Sequence, residues 1–302
     1  MAGVNDPSWP RASAWLLGDH TSPPVATLQI QGAPVRLGSI SGGRFDLTPA
    51  AVRKAMDRFS TYDGELDVRA IRVRDSGDLD LAKATPAAAL DEIAGAVGGS
   101  LPHSDAVLLL GGDNSITRAG VRGLGLDLDL IGLVTLDAHH DLRDTKDGLT
   151  NGNPVRALLE DGLPGVNVVQ IGIQPFANSE AYAEVAAKAG ITVMTVEDVR
   201  QTGIVKAVSE GLLRLADLDA VYADIDMDVL DRAFAPACPG SRPGGLSPAD
   251  LQRAARMFGE DPKVRAIDIV EVDPERDVAE ATVMTAASLV LAFAAGLARR
   301  SG

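Results

Sequence analysis

Residues 221–231, Val-Tyr-Ala-Asp-Ile-Asp-Met-Asp-Val-Leu-Asp, put Asp224, Asp226 and Asp228 at every second position of an apolar run. Alternate side chains of an extended chain share one face, so three carboxylates point the same way. In a half-buried site they would repel one another, and burial would penalise each charge further. A strand that keeps them needs a counter-charge, most simply hard or borderline divalent cations. The stretch reads as half of a metal site at the end of a strand.

A second run supplies the other half. Residues 130–136, Leu-Ile-Gly-Leu-Val-Thr-Leu, are apolar over the length of a strand and deliver Asp137, His139 and Asp141 at spacing two. His140 has the opposite parity and reads as a packing or surface histidine, which leaves His139 as the candidate ligand.

Further strand-like runs lie at 25–32, 34–40, 68–74, 106–110, 166–173, 191–196, 220–225 and 264–272. Helices are expected at 48–59, opened by Thr48-Pro49, and from Thr85-Pro86 onward, with Leu90, Ile93 and Val97 at helical spacing. Others are expected at 155–160, 179–189, 203–215 and 248–258. Strands alternating with helices predict an α/β fold with a parallel sheet covered on both faces. Functional groups of such sheets collect at the carboxyl ends of strands, where Gly112, Asp137, Asp228 and Glu271 fall. Residues 1–24, with Pro7, Pro10, Pro23 and Pro24, read as an irregular lead-in. No repeat, low-complexity tract or charged linker divides residues 1–302, so a single domain is expected.

Composition narrows the partners. A net charge of −14 argues against nucleic acid, whose binding rests on neutralising phosphates with Lys and Arg. The single cysteine, Cys238, excludes an internal disulfide and fits a reducing compartment, so a cytoplasmic location is expected. Cys238 lies in a loop without an activating motif and is not read as a nucleophile. Asp6, Arg11 and Asp19 interrupt the first apolar pieces, unlike the continuous apolar core of a secretory signal. Residues 286–298, the longest near-apolar run, fall short of the roughly 17 to 25 residues that span a bilayer and read as a buried C-terminal helix, so no membrane partner is expected.

Singly, the motifs are weak. Gly111-Gly112-Asp113 lacks the Gly-Lys-Ser/Thr of a nucleotide loop, and residues 226–231 lack the glycine and distal glutamate of a calcium loop. In conjunction they are specific. Gly111-Gly112-Asp113-Asn114-Ser115, Asp137-Ala138-His139-His140-Asp141 and Asp226-Met227-Asp228-Val229-Leu230-Asp231, closed by Ala235-Pro236, resemble in order the three signatures of the ureohydrolase superfamily of arginases and agmatinases. Glu271-Val272-Asp273-Pro274 resembles its fourth landmark. The resemblance implies a three-layer α/β/α arginase-like fold with a mainly parallel central sheet, a homo-oligomer, and two manganese ions at the strand ends. Asp137 and Asp226 would bridge the ions, Asp141 would bind one, and His139 with Asp228 would bind the other. Asp224 stands where a small hydroxyl residue is usual, and would sit behind the ligands or hydrogen-bond neighbouring backbone.

Two departures from the superfamily pattern matter. Asn114 stands in place of a histidine ligand, so it is at most a weak part of one metal's shell, and that ion would be weak or absent. Thr150-Asn151-Gly152 replaces the Ser-His-Gly of agmatinases, removing a histidine thought to move protons. Asp-Ala-His-x-Asp-Leu-Arg, ending at Arg143, and the loop Asn151-Gly152-Asn153-Pro154-Val155 look most like the formimidoylglutamase branch. A dicarboxylate substrate needs a cationic partner, and Arg143 can pair bidentately with a carboxylate. Its alternative role is a surface salt bridge to Asp144 or Asp141. Asn151, Asn153 and Arg242 are the other expected substrate contacts, whereas Glu180, Tyr182 and Glu184 read as a helix surface.

The expected reaction is hydrolysis of a linear amidine C–N bond, formimidoylglutamate and water giving glutamate and formamide in histidine breakdown. Asp141 would relay the proton and Glu271 would hydrogen-bond the amidine. Two alternatives stand beside it: a guanidino-acid hydrolase that releases urea, and a metal-poor, non-catalytic relative.

Overall fold

In the computed structural model of the protein, which describes residues 6, 8–36, 38–81 and 84–300, the apolar runs become strands of one sheet. They are β1 (Ala26–Ala33), β2 (Ile71–Asp78), β3 (Ala106–Gly111), β4 (Ile131–Leu136), β5 (Val168–Ile173), β6 (Thr192–Thr195), β7 (Ala220–Asp226) and β8 (Val264–Val270). The spatial order is β2-β1-β3-β8-β7-β4-β5-β6, and every pairing is parallel. Parallel strands need crossover connections that cover both faces, which is why β3, β4, β5 and β7 are buried at every residue.

The helices are α1 (Ala12–Leu16), α2 (Thr48–Ala55), α3 (Pro86–Ser100), α4 (Ile116–Arg122), α5 (Pro154–Asp161), α6 (Glu180–Ala189), α7 (Val196–Thr202), α8 (Ile204–Arg214), α9 (Pro248–Glu260) and α10 (Ala281–Leu297). Side chains of α1, α2, α7, α8, α9 and α10 share one core with Leu108 and Leu110 of β3. Those of α3, α4, α5 and α6 share the other with Val107 and Leu109. The strand's alternation therefore feeds two helical layers, giving the three-layer α/β/α arrangement. Leu108 and Leu109 are both fully buried, and truncating either to alanine would cost about 2 to 5 kcal/mol.

Several local expectations change. Residues 34–40 form no strand among those described; Leu37 lies outside the described residues. Pro34 has no N–H for a ladder, and beyond it Asp113 takes over. The Asp113 N–H donates to the Val35 carbonyl at 2.9 Å, and its carboxylate accepts from the Gly38 N–H at 3.0 Å. A Cβ at Gly112 would collide with the Val35 carbonyl, which explains the glycine there. Within the lead-in, residues 1–5 and 7 lie outside the described residues, but 12–16 are helical. That short helix is fixed by Trp15, fully buried, whose Nε1–H donates to the Ile71 carbonyl at 2.9 Å. Strand β2 starts later than expected, because Asp67 accepts from the Arg69 N–H and closes a turn over Val68–Ala70. Thr48 does not cap α2; its hydroxyl donates to the Val272 carbonyl and ties the helix to the loop after β8.

The order of strands sets the site. Strands β3, β8, β7 and β4 are neighbours, and their carboxyl ends carry Asn114, Glu271, Asp226 and Asp137 respectively. Four stretches far apart in sequence thus open onto one crevice, as the rule for parallel sheets requires.

Candidate metal centre

The candidate ligands do not continue the strands. Strand β4 stops at Leu136 and β7 at Asp226, and each following turn folds back on its own aspartate. The His139 N–H donates to Asp137 Oδ1 at 2.6 Å, and the Asp228 N–H donates to Asp226 Oδ1 at 2.8 Å. These aspartate turns, rather than extended alternation, bring the spacing-two side chains together. His139 Nδ1 lies 3.0 Å from Asp228 Oδ2 and 3.5 Å from Asp137 Oδ1. The three residues offer ligand atoms within 4.8 Å of one another. Asp141, Asp226, Glu271, Arg143, Asn151 and Arg242 line the same pocket as His139 and Asp228.

Charge is crowded here. Burial, then the charge of Asp228, pushes Asp137 up to about 6. Burial, then Asp137, holds Asp141 well above the usual carboxylate range; burial, then Asp228, does the same to Asp226. Glu271 is pushed up to about 8 by burial and by Asp113. Against its own burial, Asp228 is held low by His139, and the Asp228 charge in turn pushes His139 up to about 12. A protonated His139 would be the counter-charge within the protein, standing where a divalent cation would compete with its proton. Buried carboxylates that repel one another around one imidazole fit a hard or borderline cation.

Asn114 is fully buried after β3, with Nδ2 donating to Asp141 Oδ2 at 2.6 Å and Oδ1 accepting from the Thr117 hydroxyl at 2.8 Å. Its amino group, which has no lone pair for a cation, therefore faces Asp141. Asp224 and Asp268 sit opposite each other on β7 and β8, buried, one step back from the pocket. Asp268 accepts from the Tyr222 hydroxyl at 2.8 Å and lies 2.9 Å from the Thr117 hydroxyl oxygen, whose single proton goes to Asn114, so a run of buried polar side chains leads from Asp268 through Thr117 to Asn114. Asp141 and Glu271 both have left-handed backbones, φ 53° and 66°, unusual for non-glycine residues and concentrated at functional sites.

Among the described residues the Arg143 guanidinium has no hydrogen-bond or ion-pair partner. The salt bridges considered for it are taken: Asp144 pairs with Lys146 at 2.8 Å, and Asp141 holds Asn114. Arg143 runs over Gly152, where a Cβ would come within 2.6 Å of its Cδ. Arg242 donates to the Gly240 carbonyl. Asn153, expected to touch substrate, is buried instead and holds its own loop. Its Oδ1 accepts from the Thr150 N–H at 2.7 Å, and its Nδ2 donates to the Asp144 and Gly148 carbonyls at 3.0 Å each. Asn151 is likewise engaged, through Glu271 Oε1 at 3.0 Å and the Ile40 N–H at 3.0 Å.

His140 turns away, its Nδ1 2.7 Å from Gln170 Oε1. Cys238 is fully buried, and burial pushes its thiol well above the ordinary range, which suits packing rather than attack. Tyr182 does not lie on an outer helix surface: with Asn178, Ile40 and Ser41 it lines the pocket. The available signal was position, since Tyr182 lies in the first turn of the helix that follows β5, where side chains look over the strand ends. Asn178 accepts from the His140 N–H and donates to the Ala138 carbonyl, both at 2.9 Å, and so braces the ligand turn.

A model of the Arginase family matches residues 26–296. A formimidoylglutamase of Halalkalibacterium halodurans is 37% identical over 272 residues, covering 88% of this chain and 85% of that one. The crystal structure of formimidoylglutamase from Bacillus subtilis subsp. subtilis str. 168 superposes with a TM-score of 0.90 at 31% identity, covering 98% of this chain and 94% of that one. Trypanosoma cruzi formiminoglutamase, solved with Mn2+2, shares the fold at a TM-score of 0.85 and 22% identity, covering 97% of this chain and 99% of that one.

Proposed function

Because the chain belongs to the arginase family, we propose that the crevice hydrolyses the amidine C–N bond of formimidoylglutamate, giving glutamate and formamide. One observation carries the choice of substrate within the family: among the described residues the Arg143 guanidinium has no partner, and it lines a pocket to which Asp141, Asp226, Asp228 and Glu271 also contribute. A substrate with carboxylates and a short amidine meets that pattern, with its anionic end on Arg143 and its cationic end among the acids. Agmatine, a cation with no carboxylate, leaves Arg143 unused.

Asp137, His139, Asp141, Asp226 and Asp228 would hold manganese, with binding weaker on the side of Asn114. When bound, the ions supply the positive charge that makes water nucleophilic near neutral pH. The remaining work falls to side chains. Arg143 orients a substrate carboxylate, with Arg242 at the same rim. Glu271 accepts a hydrogen bond from the amidine N–H and so fixes the sp² carbon for attack. Asp141, as a carboxylate, would take up the proton lost by the attacking water and return it to the departing glutamate nitrogen as the C–N bond breaks. A place in histidine breakdown, a cytoplasmic location and a homo-oligomer belong to the same proposal; among the described residues no helix is long and apolar enough to cross a membrane.

The test is a panel of formimidoylglutamate, guanidinobutyrate and agmatine given to manganese-reconstituted protein, with formamide, urea and ammonia measured. Formamide from formimidoylglutamate at the highest kcat/KM is expected. Preferential urea release from guanidinobutyrate would replace this reading with a guanidino-acid hydrolase. A chain that retains no manganese after reconstitution would be a non-catalytic relative.

A further inference from the structure

Asn151 joins three separate pieces of the pocket wall. Its backbone N–H donates to the Gly38 carbonyl at 2.8 Å, its Oδ1 accepts from the Ile40 N–H at 3.0 Å, and its Nδ2 donates to Glu271 Oε1 at 3.0 Å. The two side-chain partners fix the orientation of the amide, because a backbone N–H requires an acceptor and a carboxylate requires a donor. Glu271 Oε1 also accepts from the backbone N–H of Asn114 at 2.8 Å. Both donors thus fall on one oxygen. Among the described residues Oε2 receives none, although Glu271 lines the pocket. The left-handed backbone of Glu271, φ 66°, is not its intrinsic preference, so the aim of its carboxylate depends on outside contacts.

We infer that Asn151 is a positioning residue, which clamps Glu271 through Oε1 so that Oε2 is presented to the amidine, and which fastens the rim at 38–41 to the loop at 143–153. The inference rests on the hydrolase reading, in which Glu271 accepts from the substrate. It replaces the direct substrate contact expected of Asn151, whose carbonyl oxygen and one amino hydrogen are committed to the protein. A carboxylate held by two donors before the substrate arrives needs no rearrangement during the reaction. The amide cannot shuttle protons as a histidine would, but it can supply the fixed donor that this geometry uses.

The experiment is a double-mutant cycle of Asn151→Ala and Glu271→Gln on manganese-loaded protein with formimidoylglutamate. Asn151→Ala should lower kcat by about tenfold to hundredfold, the worth of a hydrogen bond to a charged group, with a smaller change in KM. In the Glu271→Gln background the same substitution should cost no more than about twofold. Equal losses in both backgrounds, or a rise in KM with kcat intact, would overturn the inference. Asn151→Asp keeps the acceptor for Ile40 and removes the donor to Glu271, so it should lower kcat at least as far and covers an alanine variant that fails to fold. Crystal structures of the parent and Asn151→Ala give a readout independent of substrate. Glu271 should leave the Asn114 N–H in the variant, and an unmoved carboxylate would sink the idea. A parent that releases no formamide would remove the hydrolase reading, while the crystal structures would still decide the position of Glu271.

Discussion

On one side of the carboxylate cluster, ligand atoms of Asp137, His139 and Asp228 gather within 4.8 Å, while on the other Asp141 is met by the amino group of Asn114 at 2.6 Å. The first side would be a cage in which a cation can replace the counter-charge of a protonated His139. The second already has part of its negative charge answered by a neutral donor, and that donor is held from behind by Thr117. If Asn114 stands in place of a histidine ligand, as the resemblance to the superfamily implies, it would remove one ligand and also supply a competitor for the neighbouring one. The two ions of the proposed centre should differ in affinity for that reason.

The largest expected effect comes from destroying what the two sides share. Asp226→Asn should abolish activity and lower both metal content and melting temperature, because the proposed centre would lose one of the carboxylates that hold its metal. Asp224→Asn, one step back on β7 against Asp268, should leave metal content near the parent level. Elemental analysis and thermal melts check both; equal loss of metal in the two variants would refute the assignment. Next in size is Arg143→Ala, which belongs to neither side. Losing a desolvated charge partner costs about 2 to 5 kcal/mol, so kcat/KM on formimidoylglutamate should fall at least tenfold to a hundredfold, with metal content unchanged. Equal loss on agmatine would show that Arg143 does something other than grip a carboxylate.

A smaller effect addresses the difference itself. Asn114→His should exchange the competing amino group for a ligand and tighten the weaker ion by about tenfold or more, as changes around metal ligands commonly do. Calorimetric titration with manganese should give two unequal sites in the parent and a narrower gap in the variant. Two equally tight sites in the parent would dissolve the comparison between the sides.

Much of this arrangement was legible in the sequence, and the limits are physical. Buried parallel strands such as Ala106–Gly111 and Ile131–Leu136 are continuous apolar runs, and Asp137, His139, Asp226 and Asp228 interrupt that pattern in a way only a charged site explains. The short helix at Ala12–Leu16 was hidden by flanking prolines and is held by a contact from Trp15 to Ile71, 56 residues away. Asn151 and Glu271 meet across 120 residues, whereas Asn153, two positions on, bonds within its own loop to the Asp144 carbonyl. No local pattern carries such information. The ligand turns fall between these cases: spacing two was read correctly as convergence, but aspartate turns rather than extended strand produce it.

The smallest effect is a pH dependence of stability in metal-stripped protein, and it tests whether both sides carry unrelieved charge. Asp137 is raised from 3.8 to about 6 and Asp268 likewise to about 6, while Glu271 is raised from 4.5 to about 8. A carboxyl whose folded value is raised binds its proton more tightly when folded. Its contribution is present below the unfolded value and is lost as pH rises through the folded one. For Asp137 and Asp268 that window runs from about 4 to about 6, and for Glu271 it extends to about 8. His139, raised from 6.5 to about 12, acts in the same direction above its unfolded value. With chelator present, unfolding free energy and Tm should therefore fall between pH 5 and pH 8. Manganese should flatten or reverse the slope, because the cation takes the place of the protons and binds better when they have left. Thermal melts across that range, with chelator and with manganese, decide the matter. A chelated protein that grows more stable toward pH 8 would mean that the cluster is already neutralised from within, and the need for a cation on either side would fall with it.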